Sequence, residues 1–292
     1  MPASTTTATT TAPRHVPTPA QRPAMIIESP ANDRVRAARK LARRRERARR
    51  GVFLVEGPEV LAEALAHLVE VFVAVDAPVA AHDLARAAEA RGARRSEVTA
   101  AVLDSLAATM APQGVVGVAA LDEPALDEAL DAASLAVLCC GVADPGNAGA
   151  IVRSADAAGA DAVLLSAGSV DARNPKAVRA SAGSLFHLPV VEGVDPLVAL
   201  AAARERGLAT LGLDAGGALA HTEADLAAPT LLVLGAEADG LPAEVAAGCD
   251  AVVGVPMPGA LRPGWQGRAE SLNLAATAAV ALLEAARQRG AR

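Results

Sequence analysis

The chain has 292 residues, of which 52% are hydrophobic and only 1% aromatic, with no tyrosine and a net charge of −6 at pH 7. That length supports two compact domains with separate cores. The scarcity of rings excludes a stacking platform for single strands, and the acidic total excludes indiscriminate coating of nucleic acid, so any nucleic-acid contact falls to local patches.

Residues 1–24, rich in Thr, Pro and Ala and without an acid, read as a disordered tail. They lack the repeated arginines and the amphipathic face of a transit peptide. The run RVRAARKLARRRERARR (34–50) holds ten basic residues against the single acid Glu46, a local charge of +9. A solvated charged helix is one reading. The concentration of positive charge at one end of an acidic chain favours a phosphate-binding surface, with Arg39, Lys40, Arg43, Arg44 and Arg47 as its contacts.

From Gly51 apolar and helical stretches alternate: VFLV (52–55), a helix over 58–67, VFVAV (71–75), a helix near 81–91 and VVGVA (115–119). Residues 25–119 therefore form a small α/β domain. The acidic stretch LDEPALDEALDAAS marks a linker over 120–133. A second α/β series fills 134–292. Its apolar runs 134–141, 161–166, 208–213, 230–235 and 251–257 suit strands buried on both faces. Helices are predicted between them near 148–159, 175–184, 196–206, 242–248 and 271–289, giving a parallel sheet covered on both sides. Ligands of such sheets gather at the carboxyl ends of strands.

Three strand-end segments stand out. In DPGNAGAIVRSADAAGA (144–160) a turn precedes Asn147, a good N-cap, while Gly149 and Ala150 permit close approach of a ribose or phosphate. Arg153, a cation near a helix N-terminus, needs a negative neighbour, which is either Asp156 one turn on or a ligand. In LVLGAEADGLP (232–242) the acid Glu237 follows a buried strand between Gly235 and Gly240; alone it also reads as a solvent-facing loop residue. In 255–288, Ser271 and Asn273 open a long Ala/Leu helix, where they cap it or reach a ligand. The Gly/Pro-rich insert with Trp265 reads as a mobile surface loop. Neither a G-x-G-x-x-G fingerprint nor a Walker A loop is present. The three cysteines, Cys139, Cys140 and Cys249, match neither a disulfide framework nor a zinc spacing, which suits a reducing cytoplasm and no metal site. No stretch approaches the ~20 apolar residues of a membrane span.

Together the three segments resemble the signature motifs of SpoU-type (TrmH-like) RNA 2′-O-ribose methyltransferases of the SPOUT superfamily. Asn147 with Arg153, Gly235 with Glu237, and Ser271 with Asn273 match them in order and spacing, and GSVDARNPKAVRASAGSLFHLPV (168–190) is also similar to the family. The resemblance covers 133–289, while 25–119 is similar to the ribosomal-protein-like substrate-binding domain that often precedes it. It departs at Ala236, where the family commonly has Asn, and in the insert 260–269, which lengthens the third motif.

The resemblance implies a C-terminal trefoil knot, a homodimer, and an AdoMet site formed by Leu211, Gly212, Leu234, Gly235, Val255, Met257 and Leu272. It implies catalytic roles for Arg153, Asn147, Glu237, Ser271 and Asn273, with Lys176 and Arg179 as RNA contacts near the reaction. Because a guanidinium stays protonated, Arg153 is expected to stabilise a developing alkoxide rather than act as a free base, and it can serve a neighbouring subunit's site. Ribosomal RNA is favoured over tRNA because of the additional N-terminal domain. A tRNA-directed enzyme, an RNA-binding module with impaired catalysis and an α/β enzyme acting on a small metabolite are the alternatives.

Overall fold

The computed structural model describes residues 26–109, 112–120, 123–257 and 271–290. The tail over 1–24 and the insert 260–269 with Trp265 lie outside the described residues. Asn32 caps the first helix by accepting from the Arg34 amide at 3.0 Å, and α1 (Asp33–Arg39) follows. A 3₁₀ turn (Lys40–Ala42) then buries Leu41, the chain extends at Arg43, and α2 (Arg44–Arg50) ends at Gly51 in the left-handed region. The basic run is thus two short helices set at a corner. Nη1 of Arg47 holds that corner by donating to the carbonyls of Leu41 and Ala42 at 2.7 and 2.9 Å.

The N-terminal domain continues as β1 (Val52–Glu56), α3 (Pro58–Glu63), β2 (Leu68–Ala74), α4 (Val79–Ala90), β3 (Arg94–Val98), α5 (Ala100–Leu106) and β4 (Val115–Ala120). Its four-stranded sheet runs β1-β4-β2-β3, antiparallel except for the β2/β3 pair. The strand β3, RRSEV, has no apolar run for a sequence pattern to register. It lies at the sheet edge, where charge discourages pairing with another chain.

The second domain comprises α6 (Leu126–Leu130), β5 (Leu135–Cys139), α7 (Pro145–Ala157), β6 (Ala162–Ser166), α8 (Pro175–Ser181), β7 (Val190–Val194), α9 (Pro196–Glu205), β8 (Ala209–Leu213), β9 (Leu219–Ala220), β10 (Thr230–Leu234), α10 (Ala243–Gly248), β11 (Ala251–Gly254) and α11 (Leu274–Gly290). Seven strands in the order β7-β6-β5-β10-β8-β11-β9 pair in parallel. Alternation along β5 sends Leu135, Val137 and Cys139 to the face covered by α7 and α11, and Ala136 and Leu138 to the face covered by α6 and α9. Burial on both faces is the reason these strands read as unbroken apolar runs. It also pushes the thiol of Cys140 up to about 12.

The first of those two cores extends without a break into the N-terminal domain, to Phe53, Val55 and Leu61. Phe186 stacks on Phe53 with centroids 6.0 Å apart and on His67 at 5.5 Å. A buried ion pair reinforces the junction: Nη2 of Arg47 donates to Asp171 Oδ2 at 2.6 Å and Nε at 2.9 Å. Among the described residues no helix is long and apolar enough to cross a membrane, and no three His, Cys, Asp or Glu side chains gather to hold a metal ion.

Candidate active site

The carboxyl ends of β8, β10 and β11 open into a cavity of about 750 Å³. Its apolar wall consists of Leu213, Leu234, Val253, Val255, Met257 and Leu272, and its polar groups are Asp214, Glu237, Ser271, Asn273 and Thr277. Gly235 is obligatory in one of the loops. The segment folds back through paired hydrogen bonds between Ala236 and Gly240, and a Cβ on Gly235 would lie 2.0 Å from the Gly240 carbonyl carbon.

The loop after β5 meets this rim through side chains. Asp144, not Asn147, caps α7: its Oδ1 accepts from the Asn147 amide at 2.9 Å, and Pro145 occupies the first turn. Relieved of capping, the Asn147 side chain faces the cavity rim. Its Nδ2 donates to Glu237 Oε1 at 2.9 Å, and its Oδ1 accepts from Asn273 Nδ2 at 3.1 Å. Glu237 also accepts from the Ala143 and Asp144 amides at 3.1 and 3.2 Å. Burial pushes the Glu237 carboxyl up, but the bonds from Asn147 and these amides outweigh it, so the group lies below its ordinary range and is ionised at neutral pH. Ala236 takes no part in orienting it; its amide and carbonyl serve only the Gly240 turn. Asn273 caps α11 with the same side chain, Oδ1 accepting from the Ala275 and Ala276 amides at 2.9 and 3.3 Å. Ser271 precedes the helix, which begins at Leu274, and lines the cavity without capping.

Of the residues expected at the cofactor, Leu234, Gly235, Val255, Met257 and Leu272 line the cavity, and Leu211 and Gly212 do not. Leu211 is packed in the core below the strand end, and a Cβ on Gly212 would meet Leu241 on the opposite face of the sheet. The cavity instead takes Leu213, Asp214 and Ala215, the last residue of β8 and the turn that follows, which the sequence pattern passed over. Gly149 is not open to a ribose or phosphate either. Its missing side chain admits α8, since a Cβ there would come within 2.3 Å of the Ala177 carbonyl oxygen.

Arg153 is exposed on α7 and does not line the cavity of its own chain. Asp156, its expected partner, instead binds His187 Nδ1 at 2.8 Å. On α8, Lys176 pairs with Asp144 at 2.7 Å, which lowers the Asp144 carboxyl, and Arg179 lies 3.5 Å from the buried Glu56. Arg39, Lys40, Arg43 and Arg44 are exposed. Arg47 must be removed from the phosphate-binding set, because its guanidinium is buried and consumed by Asp171 and two carbonyls.

Residues 134–283 match the SpoU rRNA Methylase family, and residues 32–117 match the MRM3-like substrate binding domain. The chain is similar to a 23S rRNA (guanosine(2553)-2′-O)-methyltransferase, RlmP, of Bacillus subtilis, with 32% identity covering 87% of this chain and 96% of that protein. It is similar in structure to the SpoU methyltransferase AviRb of Streptomyces viridochromogenes in complex with AdoMet, with a TM-score of 0.77 at 31% identity, covering 89% of this chain and 100% of that one. An AdoMet-bound rRNA methyltransferase from Sinorhizobium meliloti aligns with a TM-score of 0.78 at 28% identity, covering 90% and 97% of the two chains. With the cavity, the interlocked motif residues and the match to RlmP over 87% of the chain together, the chain belongs to the SpoU rRNA methylase family, the AdoMet-dependent RNA ribose 2′-O-methyltransferases.

Proposed function

We propose that the protein works in the cytoplasm as a homodimer that methylates one ribose 2′-hydroxyl of large-subunit ribosomal RNA, with Arg153 of one protomer completing the site of the other. The observation that carries this reading is the Asn273–Asn147–Glu237 chain of hydrogen bonds, which ties three segments distant in sequence to the rim of one cavity. The substrate follows from the kinship with the 23S rRNA enzyme RlmP and from the N-terminal domain.

The cavity suits AdoMet. Its volume of about 750 Å³ lies in the ~300–1,000 Å³ range of cofactor sites. Apolar side chains form a wall for the adenine, and carboxylate and amide groups at the rim serve the polar parts. AdoMet supplies an electrophilic methyl, so the protein's task is to position a weak nucleophile and accommodate its proton. Alignment of nucleophile and methyl is worth ~7–11 kcal/mol. Glu237 fixes Asn147, Asn147 holds Asn273, and this rigid rim receives the ribose. Ser271 stands on the cavity wall beside it.

Arg153 is a permanent cation suited to stabilise the alkoxide that develops as the 2′-hydroxyl passes its proton to an RNA phosphate. Its position off its own cavity motivates the dimer, in which the guanidinium arrives from Arg153 of the partner subunit. Arg39, Lys40, Arg43 and Arg44 hold RNA phosphates, and Lys176 and Arg179 extend that surface toward the cavity.

Incubation of purified protein with tritiated AdoMet and 23S, 16S or transfer RNA, followed by nucleoside digestion, tests the reading. Label is expected in a 2′-O-methylated nucleoside of 23S rRNA. Label in tRNA would favour the tRNA-directed alternative, and RNA binding without label would favour the impaired module. Ala236 and the lengthened third motif are the grounds for that module, yet Glu237 is oriented by Asn147 and two amides without help from position 236.

A further inference from the structure

Among the described residues, Glu237 and Asp214 are the charged groups that line the cavity. Glu237 accepts three hydrogen bonds that engage both of its oxygens. Asp214 is held just as firmly but keeps one oxygen free. Its amide donates to the Val253 carbonyl at 3.1 Å, its carbonyl accepts from Gly217 at 3.0 Å, and its Oδ1 accepts from the Gly216 amide at 2.8 Å. Oδ2 has no hydrogen-bond or ion-pair partner among the described residues, and it lies 3.4 Å from where a Cβ on Gly240 would stand. The turn DAGG after β8 therefore presents one fixed carboxylate oxygen to the cavity.

Its place in the sheet indicates what it meets. Asn147 follows β5 and Glu237 follows β10, whereas Asp214 follows β8, the next strand outward in the order β5-β10-β8. Two strand spacings put it ~10 Å from the end of β5. The methyl is carried on the sulfonium between the adenosine and amino-acid halves of the cofactor and has to face the RNA at the Asn147 rim; the apolar wall of Leu213, Leu234 and Val253 beside Asp214 suits the adenosine half. In dinucleotide-binding α/β sheets a carboxylate at the carboxyl end of the strands accepts ribose hydroxyls, and Asp214 offers the same chemistry at the end of β8.

We infer that Asp214 reads the cofactor's ribose, accepting a hydroxyl hydrogen at Oδ2, and so sets affinity for the adenosine half common to AdoMet and its demethylated product; this rests on the cavity being the AdoMet site. Calorimetric titration of wild type, Asp214→Ala and Asp214→Asn with AdoMet, with S-adenosylhomocysteine and with methylthioadenosine, which lacks the amino-acid half, tests it. Removing one hydrogen bond to a charged group is expected to raise Kd about 10- to 100-fold. The alanine variant should lose that factor for all three compounds equally; loss for AdoMet and S-adenosylhomocysteine but not for methylthioadenosine would overturn the assignment by showing a carboxylate that faces the ammonium. The asparagine variant, which keeps an acceptor and can still cap the Gly216 turn, should lose less, again equally. Loss confined to AdoMet would overturn the assignment by showing a carboxylate that faces the sulfonium, and unchanged affinity in both variants would overturn it outright. Failure of wild type to bind any of the three would instead overturn the AdoMet reading on which the inference rests. Thermal melts of the free variants guard against a folding defect, since Asp214→Asn preserves the turn.

Discussion

Asn273 donates to Asn147 at 3.1 Å across 126 positions of sequence, and this bond joins the start of α11 to the start of α7. Both residues have a second duty, Asn273 as the cap of α11 and Asn147 as a donor to Glu237. Residues that share a network do not contribute independently. In a double-mutant cycle of Asn147→Ala and Asn273→Ala, read in kcat/KM for methyl transfer, a coupling of about 1 kcal/mol is expected. Additive losses would mean that the bond has no part in the reaction.

Arg153 is exposed and forms no hydrogen bond or ion pair among the described residues, so its removal should leave folding and AdoMet affinity unchanged. Loss of a group that stabilises developing negative charge costs about 10²- to 10³-fold in kcat. Arg153→Ala is expected to show that loss with an unaltered Kd for AdoMet. Mixing it with a cavity variant such as Gly235→Val should restore part of the activity if the two protomers share a site; an inactive mixture would count against sharing.

Two arginines of the same basic run should behave in opposite ways. Arg47→Ala strands Asp171 in the domain junction, and breaking a buried pair from one side costs about 3–5 kcal/mol. Urea denaturation is the readout. Arg39→Ala should leave the denaturation midpoint in place while flattening log Kd against log salt by ~0.7, the contribution of one phosphate contact on single-stranded RNA. The reverse pattern would restore Arg47 to the RNA surface.

His187 bridges Asp156 on α7 at 2.8 Å and Glu63 on α3 at 3.1 Å, spanning the two domains. A neutral imidazole has one N–H and can serve one carboxylate; the imidazolium serves both. The bond to Asp156, then that to Glu63, hold the His187 pKa above its ordinary value against a smaller opposing effect of burial. With the folded value raised, this stabilisation is complete below the unfolded pKa of ~6.5 and disappears as pH rises through the folded value. The groups are partly exposed, so the effect should stay below ~1 kcal/mol. Thermal midpoints between pH 6 and 8.5 should decline more steeply in wild type than in His187→Gln, and parallel profiles would exclude the clamp.

Burial decided which parts of the fold were legible. The strands β5, β6, β8 and β10 are covered on both faces and announce themselves as apolar runs. By contrast β3 is RRSEV, β7 is interrupted by Glu192 and Gly193, and β9 is two residues long, so no local pattern reveals them. Strand order is a long-range property: nothing near Thr230 in the sequence says that β10 lies between β5 and β8. At the site, residue types marked Glu237, Asn147 and Asn273, but the wiring among them depends on Asp144 taking over the cap. Nothing local marks Asp214, because DAGG reads as an ordinary turn. In the basic run, ten cations carry no local cue to the one that meets Asp171, which is Arg47.

The central claim is that the interlocked loops deliver a methyl to one ribose of ribosomal RNA. Quantitative mapping of ribose methylation in rRNA from cells with the gene, without it, and complemented by wild type or Arg153→Ala tests it most directly. One 2′-O-methyl in the large-subunit RNA should vanish with the gene, return with the wild-type copy and stay absent with the arginine variant. A ribose-methylation profile identical in all four strains would contradict it.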